Sequence, residues 1–116
     1  MNKDPLIFIA HILENIEDIA VFSKGLTRKG LEKNKLKRNA IIRSIEIIGE
    51  AVKNVPHSFR NKHPDVPWKE IAGARDRMIH QYFDVDLDLV WDIAQKDIPL
   101  LKKKIEKIKE SLMQEK

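Results

Sequence analysis

Arg75 and His80 stand with four residues between them, and Tyr82 follows one residue after the histidine, in the stretch Ala74-Arg75-Asp76-Arg77-Met78-Ile79-His80-Gln81-Tyr82. An arginine holds a phosphate through two parallel N–H bonds and stays charged at any working pH. A histidine can carry a proton on or off a sugar hydroxyl near neutral pH. Those are the two tools that a ribonuclease working without a metal needs. A tyrosine hydroxyl, with a pKa of about 10, is a poor proton shuttle at pH 7. An Arg and a His at this spacing also occur by chance in many helices, so the surroundings decide what the pattern means.

On a helix that advances about 100° per residue, Arg75 and Tyr82 fall about 20° apart and Arg75 and His80 about 140° apart. A straight helix therefore cannot bring Arg75 and His80 onto one phosphate. Either the helix ends or distorts between them, or two copies of the site combine across a dimer. Asp76 stands four residues before His80. In a continuous helix it would face the imidazole, orient it and raise its pKa. The competing reading makes Arg75, Asp76 and Arg77 solvated charges, with Tyr82 covering a helix end.

The periodicity that must position these residues is helical nearly throughout. Asp4-Pro5 reads as a cap followed by proline at the first helical position. Leu6, Ile9, Leu13, Ile16 and Ala20 recur behind it at helical spacing, widened by Ile12 and Ile19, and Gly25 ends the run. Lys24, Arg28, Lys29, Lys33, Lys35, Lys37, Arg38 and Arg43 follow against a single acid, Glu32. Gly30 and Asn34 make the first part of that stretch a short or mobile connector. It reads equally well as a grip for RNA phosphates and as a solvated loop.

A long helix spans roughly Lys35 to Asn54, with Ile41, Ile45, Ile48 and Val52 as its stripe and Ile42 and Ile47 broadening it. Glu46 and Glu50 lie four apart on it. They suit either an arginine partner, Arg75 or Arg43, or surface pairing with Lys53 or Arg43. Phe59 and Trp68 are the expected core anchors of the proline-rich segment that follows, and Pro67 fits the first turn of a helix running to about Tyr82. Asp84 or Asp86 can cap the next helix, carried by Leu87, Val90, Trp91, Ala94 and Ile98. Pro99 predicts a break there, with Asp97 capping a fresh helix. Leu101, Ile105, Ile108 and Leu112 form a narrow last seam, and Lys102 to Lys104 its wet face. No segment alternates with period two.

This pattern predicts one all-α domain over residues 1–116, a four- to five-helix up-and-down bundle. The aliphatic faces are generous for so small a chain, and small chains bury surface poorly. A homodimer is therefore expected. The sequence has no cysteine, which excludes disulfide scaffolds and cysteine zinc sites. His57 and His63 lack an ordered set of carboxylates around them, so no metal site is expected, nor any other cofactor. His11 lies beside Glu14 and Asp18 and reads as solvated. Trp91, like Trp68, reads as core more than as a platform for bases. No apolar run approaches the ~20 residues of a membrane span, and no signal layout opens the chain. A soluble cytoplasmic protein without membrane association is expected. The formal net charge of +4 permits nucleic-acid binding without requiring it.

Several blocks of the chain, in order, resemble the HepT-like toxins of the HEPN superfamily. Arg43-Ser44-Ile45-Glu46-Ile47-Ile48-Gly49-Glu50-Ala51 is similar to the family's long-helix signature. Pro64-Asp65-Val66-Pro67-Trp68-Lys69-Glu70-Ile71-Ala72-Gly73 resembles its lead-in to the active site, and Arg75 to Tyr82 has its Arg-x4-His-x-Tyr form. Phe83-Asp84-Val85-Asp86, Val90-Trp91-Asp92-Ile93 and Asp97-Ile98-Pro99-Leu100-Leu101 continue the likeness. Only residues 24 to 39 carry little of it.

The resemblance implies an all-α homodimer that cleaves RNA without a metal, as the toxin of a type VII toxin–antitoxin module. It implies Arg75 and His80 as the catalytic pair and Asp76 as the auxiliary polar residue after the arginine. Its partner would be an MntA-type nucleotidyltransferase antitoxin that moves AMP from ATP onto Tyr82. Transfer RNA is the substrate class it suggests. Two other readings remain at this stage: a non-catalytic helical partner that helps a nucleotidyltransferase bind nucleotide or substrate, and a purely structural helical dimer.

Overall fold

The computed structural model describes residues 4–81 and 84–114, with the backbone alone at His80 and Gln81. Among these residues the chain forms eight α-helices, one π-helical turn and a two-stranded antiparallel ladder. The all-α reading stands, and the ladder is the addition to it.

Helix α1, Pro5–Ser23, starts where the Asp4 side chain accepts the Leu6 N–H and proline fills the first turn. It ends before Gly25, whose φ of 71° lies in the left-handed region that glycine enters freely. Ile9, Ile12, Ile16 and Ile19 are its buried line, while Leu13 is half-buried and Ala20 exposed. The expected stripe is thus rotated toward the two residues read only as widening it.

The basic connector is not a loose loop. Residues Arg28–Lys33 form α2, capped by the Thr27 side chain, and Leu31 is buried beneath it. Arg28 holds Asp88 at 2.8 Å, which ties α2 to a helix sixty residues away. Asn34 then caps α3, Lys35–Lys53, by accepting the Lys37 N–H.

Helix α3 is covered on several sides, as its broad apolar face predicts: Ile41, Ile42, Ile45, Ile48 and Val52 are all buried. It packs against α1 and against three short helices, one before it and two after it, and α1 packs in turn against the C-terminal helix. Helix α4, His57–Lys62, sends Phe59 inward. Trp68, in α5, Trp68–Ala72, is buried beside it and donates its indole N–H to the His63 carbonyl at 2.9 Å. The Phe59 and Trp68 anchors are therefore both in place.

The helix expected to reach Tyr82 does not do so. Gly73 separates α5 from α6, Ala74–Met78. Ile79 then turns extended, with φ −117° and ψ 104°, and opens strand β1, Ile79–Gln81. Strand β2, Asp84–Val85, pairs with it through Ile79 opposite Val85 and Gln81 opposite Asp84. The Asp86 N–H donates to the Met78 carbonyl at 2.7 Å, satisfying one acceptor that a helix end leaves open. Ile79 and Val85 are β-branched and pack half-buried on the core, which favours the extended backbone here.

Asp86, rather than Asp84, caps α7, Leu87–Asp92, by accepting the Leu89 N–H. The break expected at Pro99 is also absent. A π-helical turn, Ile93–Asp97, joins α7 to α8, Ile98–Gln114, and Ile98 keeps helical angles of −64° and −45°. A proline inside a helix lacks an N–H and crowds the carbonyl four residues back. The widened turn immediately before Pro99 relieves both problems, so Asp97 has no fresh helix to cap. Ile98, Leu101, Ile105 and Ile108 bury the inner face of α8. Lys102 and Lys104 on that helix are not simply wet: Lys102 pairs with Glu17 at 3.0 Å, and Lys104 donates to the Asp65 carbonyl at 2.7 Å.

Candidate active site

The motif sits where a short helix turns into a hairpin. Ala74 and Met78, four residues apart on α6, are buried and pin it to the core. Arg75, Asp76 and Arg77 are left exposed. Next to it, α3 comes close because residue 49 is glycine. A Cβ there would stand 3.2 Å from the Ile71 carbonyl oxygen and 3.6 Å from that of Ala72, at the end of α5. One turn earlier on α3, Glu46 meets Arg75, with Nε to Oε2 at 2.8 Å. The arginine side chain is 57% exposed and the glutamate 20%. This decides between the two readings of the acidic pair. Glu46 takes Arg75, and Glu50 makes a surface contact with Lys53 at 3.7 Å.

The pair has a direction. Its single short bond uses the Nε edge of the guanidinium, and Arg75 has no other partner among the described residues. Among the described residues nothing takes the two terminal nitrogens, and they form an edge that matches two phosphate oxygens. So exposed an ion pair stabilises a fold by at most about 1 kcal/mol. Its consequence is orientation: the side chain leaves α6 in one direction with its outer edge open.

The end of α6 at Met78 removes the continuous helix on which the 140° separation rests. The first alternative holds: the helix stops between Arg75 and His80, and His80 lies on the extended strand two residues beyond it. A composite site across a dimer is no longer required by geometry. The same change removes the basis for setting Asp76 against His80, because the four-residue pairing exists only along a continuous helix. Asp76 is exposed and has no partner among the described residues. The His80 side chain and the whole of Tyr82 lie outside the described residues, so the expected 20° relation of Tyr82 to Arg75 does too.

His11 and His57 are exposed. The His63 ring packs on Phe59 with centroids 4.7 Å apart. Among the described residues no group of three or more His, Cys, Asp or Glu is placed to hold a metal ion. No described helix is long and apolar enough to cross a membrane. An apolar cavity of about 150 Å³ lies under α6, lined by Ile45, Ile48, Ile71, Ala74, Ile98 and Leu101 among others. It does not include Arg75, and it is well below the ~300 Å³ at which small-molecule pockets usually begin. The sequence carries no signal for it, since its walls come from three separate stretches of the chain.

Residues 12–108 match the family described as ribonuclease HepT-like. The chain belongs to that family. A protein of Caldanaerobacter subterraneus subsp. tengcongensis, provisionally named an RNase, is 46% identical over 106 residues, which cover 91% of this chain and 95% of the relative. A Thermococcus cleftensis protein named as a probable ribonuclease HepT is 43% identical over 108 residues, covering 93% and 96%. A Methanocaldococcus jannaschii protein is 50% identical over 112 residues, 97% of this chain. Its name joins a gamma-glutamylcyclotransferase to a provisional RNase, and the HepT-like chain spans about half of it, 50% of its length. No solved structure gives a significant match. Membership of the HepT-like family accords with the all-α architecture and with the blocks around Glu46, Trp68 and Arg75 on which the resemblance rests.

Proposed function

We propose that this HepT-like chain is a metal-independent endoribonuclease in which Arg75 and His80 carry the reaction. The observation that carries this reading is Arg75 held by Glu46 through Nε, its outer edge open, on the helix that leads directly into the strand bearing His80. The family match and the relatives' names support the same activity.

The chemistry follows from RNA. A 2′-hydroxyl stands beside every scissile phosphodiester. When it loses its proton to a base, O2′ bonds to phosphorus and the bond from phosphorus to O5′ breaks. The leaving oxygen takes up a proton, and the products are a 2′,3′-cyclic phosphate and a 5′-hydroxyl. Neutral His80 can serve the first proton transfer and protonated His80 the second. The other role falls to water or to a second copy of the chain. Arg75 stabilises the charge that grows on the non-bridging oxygens. Asp76, the residue after Arg75, is exposed beside it on α6 and is the auxiliary polar group of this reading. Purified protein should therefore cut RNA in EDTA and leave those two end groups, while an all-DNA strand stays intact. Cleavage that EDTA abolishes and magnesium restores would overturn the metal-free mechanism, and no cleavage at all would favour the non-catalytic partner reading.

We further read Tyr82 as a switch. An MntA-type nucleotidyltransferase antitoxin would direct the tyrosine hydroxyl onto the α-phosphorus of ATP, releasing pyrophosphate and leaving AMP on the ring. The added anion would compete with RNA for the Arg75 guanidinium and occupy its space. This would make the chain the toxin of a type VII module, with transfer RNA as the favoured target. Incubation with such an enzyme, ATP and magnesium should add one or more AMP masses to the wild type and none to Tyr82→Phe. That variant should still cut RNA and escape neutralisation. Modification of Tyr82→Phe, or modification that leaves cleavage unchanged, would remove the assignment.

A homodimer belongs to the same reading. Ile7, Val21, Leu36, Leu100 and Met113 remain exposed, at 49 to 84%. Sedimentation at micromolar concentration should give twice 13.5 kDa. A monomer under those conditions would require one protomer and water to supply both proton transfers.

A further inference from the structure

The motif places one phosphate, at Arg75. A polymer needs more, and the cavity under α6, at about 150 Å³, is too small to hold a nucleotide. The exposed face of α3 offers the continuation. Counting back from Glu46 at about 100° and 1.5 Å per residue, Asn39 and Lys35 both fall within about 20° of it, about 10 and 16 Å along the axis. Arg43 lies about 60° aside and only about 4.5 Å away. Lys35, Asn39 and Arg43 are all exposed. Lys35 and Arg43 have no ion-pair or hydrogen-bond partner among the described residues. No acid occurs between Glu32 and Glu46.

The charge is also segregated. Glu32 lies within 3.8 Å of Arg28, which is itself bonded to Asp88, so the acids next to α2 are engaged. The groove between α1 and α8, by contrast, is lined by Glu14, Glu17, Glu106 and Glu110 with one lysine, Lys109. The first half of α3 therefore carries Lys35, Lys37, Arg38 and Arg43 with no acid among them and in line with Arg75, whereas the lysines of α8 are interspersed with Glu106 and Glu110. Lysine and arginine on such a line neutralise phosphates, and an asparagine amide can donate to them.

We propose that Lys35, Asn39 and Arg43 form a track on α3 for the sugar–phosphate backbone of an RNA strand whose scissile phosphate lies at Arg75. The track rests on the ribonuclease reading for its direction. It predicts contacts that are independent of base sequence and sensitive to salt, extending the footprint by a few nucleotides on one side of the cut.

The test is a binding titration with a fluorescent 12-nucleotide strand, 2′-O-methylated throughout so that it cannot be cut, between about 50 and 200 mM salt. Lys35→Gln with Arg43→Gln is compared with Lys103→Gln with Lys107→Gln, exposed lysines on α8. Both pairs remove the same net charge. The α3 pair should flatten the slope of log K against log salt by about 0.7 for each phosphate lost, about 1.4 in all, and the α8 pair should leave it unchanged. Equal effects from the two pairs, or none from either, would overturn the track. So would an α3 pair that alters sedimentation and leaves RNA affinity intact, since a second copy would then cover this face. Because the strand cannot be cut, a chain that shows the slope change yet cleaves no natural RNA supports the track and overturns only the nuclease reading.

Discussion

Replacing His80 with alanine should lower RNA cleavage by on the order of 10²–10⁴, the usual contribution of a positioned proton-transfer group. The proposed reaction needs a base for the 2′-hydroxyl and an acid for the leaving oxygen. An imidazole is the one side chain near Arg75 in sequence that can take either role near neutral pH. The loss should carry a pH signature. The wild-type rate should vary across the range where imidazole titrates, and His80→Ala should lose that dependence together with its rate. Folding should survive, because the local backbone is held by other groups. Ile79 pairs with Val85, Gln81 with Asp84, and the Asp86 N–H closes on Met78. An unchanged rate in His80→Ala would leave Arg75 without a proton-transfer partner and sink the proposed mechanism. A lost rate with an unchanged pH profile would move His80 to a positioning role.

Local signals in the chain carried the long elements and failed where tertiary contacts decided. Asp4-Pro5, Gly25, Asn34 and Asp86 each act on backbone groups within three residues, and each marks its boundary as its chemistry implies. The rotation of the α1 stripe was not legible, because Leu13 and Ile12 are equally apolar and only the packing of α3 and α8 chooses between them. Pro99 misled for a related reason. Its missing N–H forbids an ordinary α turn, yet the π-helical turn before it satisfies the chain without a break.

The site was half legible. Arg75 and Glu46 could be named as partners from their chemistry, but their meeting depends on Gly49 admitting the end of α5, a contact between segments more than twenty residues apart. The turn at Ile79 was hidden because Arg75 to Tyr82 also suits a helix. Burial of Met78 and Ile79 against the core, and the pairing with Val85, override that local preference.

Replacing Arg75 with alanine should cost on the order of 10²–10³ in cleavage rate, the range found when one donor to a developing oxyanion is removed, or about 2.7–4 kcal/mol at the transition state. Stability should hardly move, because the Glu46 pair is 57% exposed on the arginine side and such pairs are worth at most about 1 kcal/mol. The contrast between the two magnitudes separates chemistry from folding, and a denaturant midpoint measured beside the rate reads both. Arg75→Lys refines the test. Lysine keeps the charge but offers a point ammonium in place of a fork. It cannot hold Glu46 with one edge and a phosphate with the other, so it should recover only part of the rate. Glu46→Gln keeps an oxygen for the Nε–H and should retain more activity than Glu46→Ala, which frees the guanidinium to wander. Misplacement of that kind can cost up to about 10²-fold with folding intact. If Arg75→Lys matched the wild type, charge alone would suffice and the orientation given by Glu46 would have no catalytic meaning. If Glu46→Ala cut faster than the wild type, Glu46 would instead be competing with the phosphate, and the pair would be a restraint on the enzyme.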